Sequence, residues 1–191
     1  MEPILKHLKE LIGGALVAAF LGVLSLFYAQ YIHQQDVCLK IREQEVGEAK
    51  DFKKNFDDLI NQRLFRTRRL IWAHGGQDKQ LEKEAIKSYR QKVYEWNEYA
   101  PKNYAQLEGY FGSTERVFVE NKLASKMRHI SVELRRSKID KPTLERELNE
   151  AVRLASQFES RIQARINARN IGVLPLPQDR KRSWWDLSGK C

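Results

Sequence analysis

Uncharged and mostly apolar residues form one continuous stretch near the N-terminus, residues 11–32, which reads LIGGALVAAFLGVLSLFYAQYI. About 20 apolar residues in a helix, each rising 1.5 Å, cross a bilayer core of roughly 30 Å. No other stretch of the chain combines this length with this polarity. The pattern therefore predicts a transmembrane helix over residues 11–32, preceded by an N-terminal tail of residues 1–10.

A cleaved signal peptide is the alternative for this stretch. Its apolar region would be about 7–15 residues long and would end at a site with small residues. The stretch here is longer, and the sequence after it offers only a weak cleavage site. Tyr28 and Tyr31 lie near its end, where aromatic residues meet a membrane interface. An uncleaved anchor is therefore predicted.

Small residues recur every four positions in the predicted span, at Gly14, Ala18 and Gly22. Such a stripe lets a second helix approach closely in lipid, although glycine and alanine are also common in spans that stay alone. These three residues are therefore candidates for transmembrane packing. Lysines flank the span on both sides, and Lys9 lies nearer to it than Lys40, so the positive-inside rule leans toward an extracytoplasmic domain.

Beyond the span, apolar residues recur at three-and-four spacing, which is typical of amphipathic helices. Residues 33–51 are predicted to form a polar helical stalk, with a thin apolar stripe that Gly47 interrupts. Four longer helices are predicted after the stalk, over residues 52–74, 78–99, 114–138 and 143–170.

Matched helix lengths, about 33–42 Å at 1.5 Å per residue, and short connections favour antiparallel neighbours. The predicted fold is therefore all-α: one N-terminal transmembrane helix, a helical stalk and an antiparallel four-helix bundle over residues 52–170. The alternative is a long helical hairpin that dimerises. Pro101 is predicted to break the second helix, and residues 101–112 to cap the end of the bundle nearer the membrane.

Local signals mark the helix ends and faces. Gly75 and Gly76 are predicted to stop the first bundle helix, and Asp78 and Ser113 to cap the next two. The core face of the third helix is predicted to begin at Val117. The fourth helix has the most regular period, with a predicted core face of Leu144, Leu148, Ala151, Ala155, Phe158, Ile162 and Ile166.

The C-terminal residues 171–191 differ in composition. Pro175 and Pro177 are incompatible with a regular helix. Basic residues beside two tryptophans suit a lipid headgroup zone, so the tail is predicted to contact the membrane surface or the stalk. The alternatives are that its tryptophans pack on the bundle or that the tail has no fixed structure. The residues concerned are Arg180, Lys181, Arg182, Trp184 and Trp185.

The chain of 191 residues has a net charge of +9. A basic surface can meet anionic lipid, nucleic acid or an acidic protein, but here the charges are scattered, which favours a solvated helical surface. Two groups of arginines, within residues 63–69 and 161–169, fall at opposite ends of the predicted bundle. No nucleic-acid-binding motif accompanies them, so nucleic acid is not the expected partner.

Motifs for catalysis are absent from the sequence: it has no phosphate-binding loop, no G-x-S-x-G and no dinucleotide fingerprint. Its four histidines are isolated, and Cys38 and Cys191 fit no metal-ligand spacing. We therefore expect no enzyme, with no catalytic residue, no cofactor, no metal and no small-molecule substrate.

An aromatic and amide cluster is the most distinctive local feature. Buried tryptophan and tyrosine need hydrogen-bond partners, which nearby asparagines can supply, so the cluster is interpreted as packing at a helix corner rather than as a ligand pocket. Its residues are Trp96, Asn97, Asn103, Tyr110 and Phe111.

This W-N…Y-F-G pattern, together with Leu107, Trp72 and the basic stretch 66–69, resembles uncharacterised bacterial proteins that have one N-terminal span and a helical domain. The resemblance covers about residues 60–120, and it implies a bacterial origin and no known activity.

Together these features predict a membrane-anchored helical interaction or scaffold protein of the bacterial inner membrane, whose partners are the lipid bilayer and either another protein or a second copy of itself. One alternative is a sensing or signalling subunit that acts with a partner membrane protein. Another is a membrane-tethered protein that binds phosphate or nucleic acid.

Overall fold

The structure is a computed structural model. It describes the backbone of residues 2–136 and 139–172, and the side chains of residues 17–136 and 139–172. Every regular element in these ranges is helical, which confirms the all-α fold class. The described residues belong to two compact units, which divide in sequence after Gln44.

Helix α1 runs from Glu2 to Ala73 without interruption. It contains the predicted span, the predicted stalk and the first of the four predicted longer helices. Gly47 does not interrupt it, because one glycine costs a helix only about 1 kcal/mol relative to alanine. The predicted stop is confirmed at Gly75, whose φ of 67° is a left-handed conformation that glycine adopts without steric cost.

The large apolar side chains of residues 17–32 are exposed. No helical stretch of the described residues is both long and apolar enough to cross a membrane. In the predicted packing stripe, Ala18 and Gly22 are exposed. The surroundings of Gly14 lie outside the described part of the chain. A Cβ added at Gly22 would meet no atom within 4 Å, so the stripe stays a prediction.

Helix α2 runs from Lys79 to Phe111. Its predicted cap is confirmed, since the Leu81 N–H donates to Oδ1 of Asp78 at 2.9 Å. The predicted break at Pro101 is wrong, because the proline lies inside the helix. Core residues on both sides of it, Trp96 and Leu107, are buried, and their packing offsets the roughly 3 kcal/mol that an interior proline costs. Residues 101–111 are thus the last part of α2 rather than a separate cap.

The third helical segment follows Gly112, whose φ is 83°. Ser113, the predicted cap, is instead the first helical residue. The segment consists of α3, a π-helical turn and α4, over Ser113–Phe118, Val119–Ala124 and Ser125–Glu133.

The π-helical turn changes which residues face the core. Val117, a predicted core residue, is 50% exposed, whereas Phe118 and Val119 are buried. A π-helical turn accommodates one extra residue, so a regular 3.6-residue period extrapolated backwards from Met127 selects the wrong position. The prediction for Val117 is therefore wrong.

Helix α5 runs from Lys141 to Asn167. Asp140 caps it by accepting a hydrogen bond from the Thr143 N–H at 3.4 Å, and Pro142 lies in its first turn, where no helical donor is needed. The entire predicted core face of this helix is confirmed as buried: Leu144, Leu148, Ala151, Ala155, Phe158, Ile162 and Ile166.

From residue 45 onward, each helical segment runs antiparallel to the next. The contacts show this direction because early residues of one segment meet late residues of the following one. The pairs are Phe52–Phe111 and Arg69–Glu84 for α1 and α2, Glu108–Arg116 and Tyr89–Ser131 for α2 and α3–α4, and Glu115–Arg161 and Lys126–Glu150 for α3–α4 and α5.

Candidate functional site

A groove of about 480 Å³ lies along α1 and α2 within residues 48–110. Its floor and walls include four aromatic side chains: Phe52, Phe56, Tyr99 and Tyr110. The residues that line it recur at three-and-four spacing on both helices, which places them on one face of each helix. On α1 the lining extends from Glu48 to Gln62, a length of about 21 Å at 1.5 Å per residue.

The rim of the groove is acidic. Four carboxylates and a single lysine line it, together with four amide side chains. Their formal charges sum to −3, although the chain as a whole carries +9. The charged residues are Glu48, Asp51, Asp58, Glu95 and Lys102, and the amides are Asn55, Gln62, Asn103 and Gln106.

Some of these charges already have partners within the chain. Glu95 pairs with Lys92 at 2.6 Å, and Oε2 of Glu48 accepts a hydrogen bond from the Tyr110 hydroxyl at 3.4 Å. Asp51 and Asp58 are exposed. A groove that combines aromatic faces with carboxylates and amide groups favours a ligand with apolar surface and positive charge.

Tyr110 occupies one end of the groove. Its ring centroid lies 5.7 Å from that of Phe52, and burial together with the nearby Glu48 carboxylate raises the pKa of its hydroxyl. Its backbone oxygen accepts a hydrogen bond from the Gly172 N–H at 2.8 Å. Gly172, which follows α5, therefore lies directly beside this end of the groove.

Behind the groove, the aromatic floor continues into the core. Phe56 stacks on Trp96 with centroids 5.8 Å apart and meets Phe158 edge-on at 5.7 Å. The guanidinium carbon of Arg63 lies 5.0 Å above the Trp96 ring, a cation–π contact. Arg63 is 4% exposed, and its burial lowers the pKa of the guanidinium.

The predicted aromatic and amide cluster is divided by the fold. Trp96 and Phe111 are buried, Asn103 and Tyr110 line the groove, and Asn97 is exposed. Two of its five residues are therefore core packing, two are groove surface, and Asn97 belongs to neither. The sequence does not predict this group of carboxylates, because Glu48, Asp51 and Asp58 are more than thirty residues from Glu95 along the chain.

Arginines of both groups bind other residues of the chain. Arg69 and Arg161 form ion pairs, with Glu84 at 3.8 Å and Glu115 at 2.8 Å. Arg165 instead donates a hydrogen bond to a backbone oxygen, that of Phe111.

The described residues contain no group of three His, Cys, Asp or Glu side chains that could hold a metal ion. Among the described residues, Cys38 is the only cysteine. It is half-buried and is not a free thiol. The predicted membrane-surface residues Arg180, Lys181, Arg182, Trp184 and Trp185 lie outside the described residues, as does Cys191.

Comparison with known proteins finds no matching family model, no matching curated protein and no matching solved structure. The function is therefore inferred from the residues and their geometry.

Proposed function

We propose that the chain is a non-enzymatic interaction protein of the bacterial inner membrane. In this proposal the apolar N-terminal part of α1 is a single transmembrane anchor, a helical stalk follows it, and the residues from 52 onward form an antiparallel four-helix bundle that presents the groove to a partner.

The observation that carries the proposal is the exposure of apolar side chains around the whole circumference of α1 in residues 17–32. Ten large side chains there are between 40% and 71% exposed: Val17, Phe20, Leu21, Val23, Leu24, Leu26, Phe27, Tyr28, Tyr31 and Ile32. Burying one such side chain contributes about 1.5–3 kcal/mol. A helix that is apolar all round is normally covered by protein or lipid.

Lipid is the cover we favour, because residues 11–32 contain no charge over the length that a bilayer requires. The amphipathic part of α1 begins at the end of the stalk, where Ala49, Phe52 and Phe56 are buried and the intervening positions are polar. Anchoring would confine the groove to a surface and thereby raise its effective concentration toward a membrane-bound partner.

Membrane fractionation tests this proposal. We expect the full-length chain to sediment with membranes, to remain there in high salt and alkaline carbonate, and to be released only by detergent. The variant Leu21→Arg/Leu24→Arg should move to the soluble fraction, because arginine at the centre of a span costs about 2.5–3.5 kcal/mol on insertion scales.

A matched control adds the same two charges at exposed positions of α5, as Ser156→Arg/Gln157→Arg, and should stay in the membrane fraction. Wild-type protein in the supernatant without detergent would contradict the proposal.

A further inference from the structure

Arg63 of α1 is a buried cation that has no counter-charge in the described part of the chain. Its side chain is 4% exposed, yet it forms no ion pair and no side-chain hydrogen bond with any described residue. Its only polar compensation there is the Trp96 ring, 5.0 Å from the guanidinium carbon. A cation–π contact uses the face of the guanidinium and leaves its five N–H donors unpaired. Removing such a charge from water is costly unless an anion pairs with it.

The nitrogen atoms of Arg63 are not completely enclosed. Among the described residues, the only enclosed side-chain atoms without a hydrogen-bond partner are Oδ1 of Asp57 and Oε2 of Glu115. The unpaired donors of Arg63 therefore retain a small accessible surface, from which a ligand atom can contact them.

Arg128 of α4 brings a second cation toward the same place. It is exposed, and it also forms no ion pair and no side-chain hydrogen bond with any described residue. Burial is the main cause that lowers the pKa of the Arg63 guanidinium, and the charge of Arg128 lowers it further. Two like charges this close repel each other, and an anion between them would remove the repulsion.

Tyr104 of α2 adds a hydroxyl that interacts with both arginines. Burial and Glu120 raise the pKa of this hydroxyl, whereas Arg63 and Arg128 lower it. Glu120 does not neutralise the arginines, because it pairs with Arg116 at 3.4 Å. Three helices thus contribute one side chain each to a cluster that extends from a buried arginine through a half-buried tyrosine to an exposed arginine.

The chemistry of this cluster selects an oxyanion. Arginine presents planar N–H donors that match the paired oxygens of a carboxylate or a phosphate, and it has no acceptor. A tyrosine hydroxyl adds one further donor. The cluster therefore suits ligands opposite in charge to those expected at the acidic groove.

We propose that Arg63, Arg128 and Tyr104 form an oxyanion-binding site for a phosphate or carboxylate group, with Arg63 at its buried end and Arg128 at its surface end. All three side chains belong to the bundle, within residues 63–128. The proposal therefore depends neither on the membrane anchor nor on the groove.

Isothermal titration calorimetry tests the site directly. The full-length chain in a neutral detergent is titrated with sodium phosphate, and separately with sodium acetate, at an ionic strength held constant with chloride. We expect saturable binding of one anion per chain with a Kd of about 1 mM or lower. Arg128→Gln should weaken this binding at least tenfold, because it removes a charge-assisted hydrogen bond. Arg153→Gln makes the same change at an exposed position of α5 and should bind like the wild type.

Arg63→Met tests the buried end of the site. Replacing a buried charge by an apolar side chain of similar length generally preserves a fold, and circular dichroism checks that it does so here. A ligand that binds only the folded state raises the melting temperature. Phosphate should therefore raise the melting temperature of the wild type and of Arg153→Gln, but not that of Arg63→Met.

The two anions identify the source of the ligand group. Tighter binding of phosphate than of acetate would assign the site to a phosphate group, and the reverse would assign it to a carboxylate, such as an acidic side chain of a partner. The absence of saturable binding of both anions would overturn the proposal. Equal losses in Arg128→Gln and Arg153→Gln would also overturn it, as would a phosphate-dependent rise in melting temperature that Arg63→Met retains.

Discussion

Asp57 is a buried carboxylate that the fold satisfies on one side only. Its Oδ2 accepts a hydrogen bond from Lys53 Nζ at 2.6 Å, while its Oδ1 has no hydrogen-bond partner among the described residues. Burial raises the pKa of this carboxyl above 3.8, Lys53 opposes the rise, and the neighbouring Glu159 and Asp58 add to it. Ionised Asp57 is therefore a cost to the folded state.

The substitution Asp57→Asn tests this cost through pH. Because the folded-state pKa is raised, the folded state binds the proton more tightly than the unfolded state does. Wild-type stability should thus be fully present below pH 3.8 and should fall as the pH rises through the higher folded-state pKa. The asparagine variant lacks this loss, so its stability relative to the wild type should be higher at pH 7 than at pH 3.

Urea unfolding at both pH values measures this difference. Asp51→Asn, at an exposed position of the same helix, provides the control for removing one carboxylate from the surface. An Asp57→Asn variant whose relative stability is unchanged or lower at pH 7 would contradict the account.

Among the elements, α5 and the α3–α4 segment show where sequence periodicity succeeds and fails. The core face of α5 is predicted completely, because its helix is regular and each step of three or four stays on one side. In the α3–α4 segment the π-helical turn inserts one residue, and Val117 is consequently misplaced. The break expected at Pro101 fails for another reason, since tertiary packing of Trp96 and Leu107 outweighs a local preference.

Single-residue deletions distinguish the two kinds of helix. Deleting the exposed Asn121 removes the extra residue of the π-helical turn, so a regular α-helix can keep the faces on both sides in register. We expect the fold to be retained, with a loss of stability below about 1.5 kcal/mol, the cost of an ordinary substitution.

Deleting the exposed Ser156 from the regular α5 has a different result. It rotates Phe158, Ile162 and Ile166 away from the core by about 100°, and the loss of each large core side chain costs about 2–5 kcal/mol. This variant should be unfolded at 25 °C by circular dichroism. Equal stability of the two deletion variants would show that the π-helical turn is not an accommodated insertion.

At the scale of the whole molecule, the sequence predicts the fold class and some helix ends, and it does not predict the groove. The ends that it does predict depend on local chemistry, such as the cap at Asp78 and the left-handed conformation of Gly75. The groove depends on which faces of α1 and α2 meet, and its carboxylates look like ordinary solvated charges along either helix alone. The sequence marks Tyr110 and Asn103 as part of a distinctive cluster, but their place beside four carboxylates follows only from the folded arrangement.

Charge is distributed unevenly over the molecule. The chain has a net charge of +9, yet the groove collects carboxylates and only one lysine. This contrast is why we expect basic rather than acidic ligands at the groove.

The most direct test of the account is the environment of α1 in a bilayer. A nitroxide amino acid is placed in turn at Phe20, Leu24 and Phe27, on different sides of the helix, and at the exposed Ser156 as a control. The full-length protein is reconstituted in nanodiscs, and collision rates with oxygen and with a water-soluble nickel chelate are measured. If α1 spans the bilayer, collisions with oxygen should dominate at the three α1 positions and collisions with nickel at Ser156. Ready access of the nickel chelate to residues 20, 24 and 27 would contradict it.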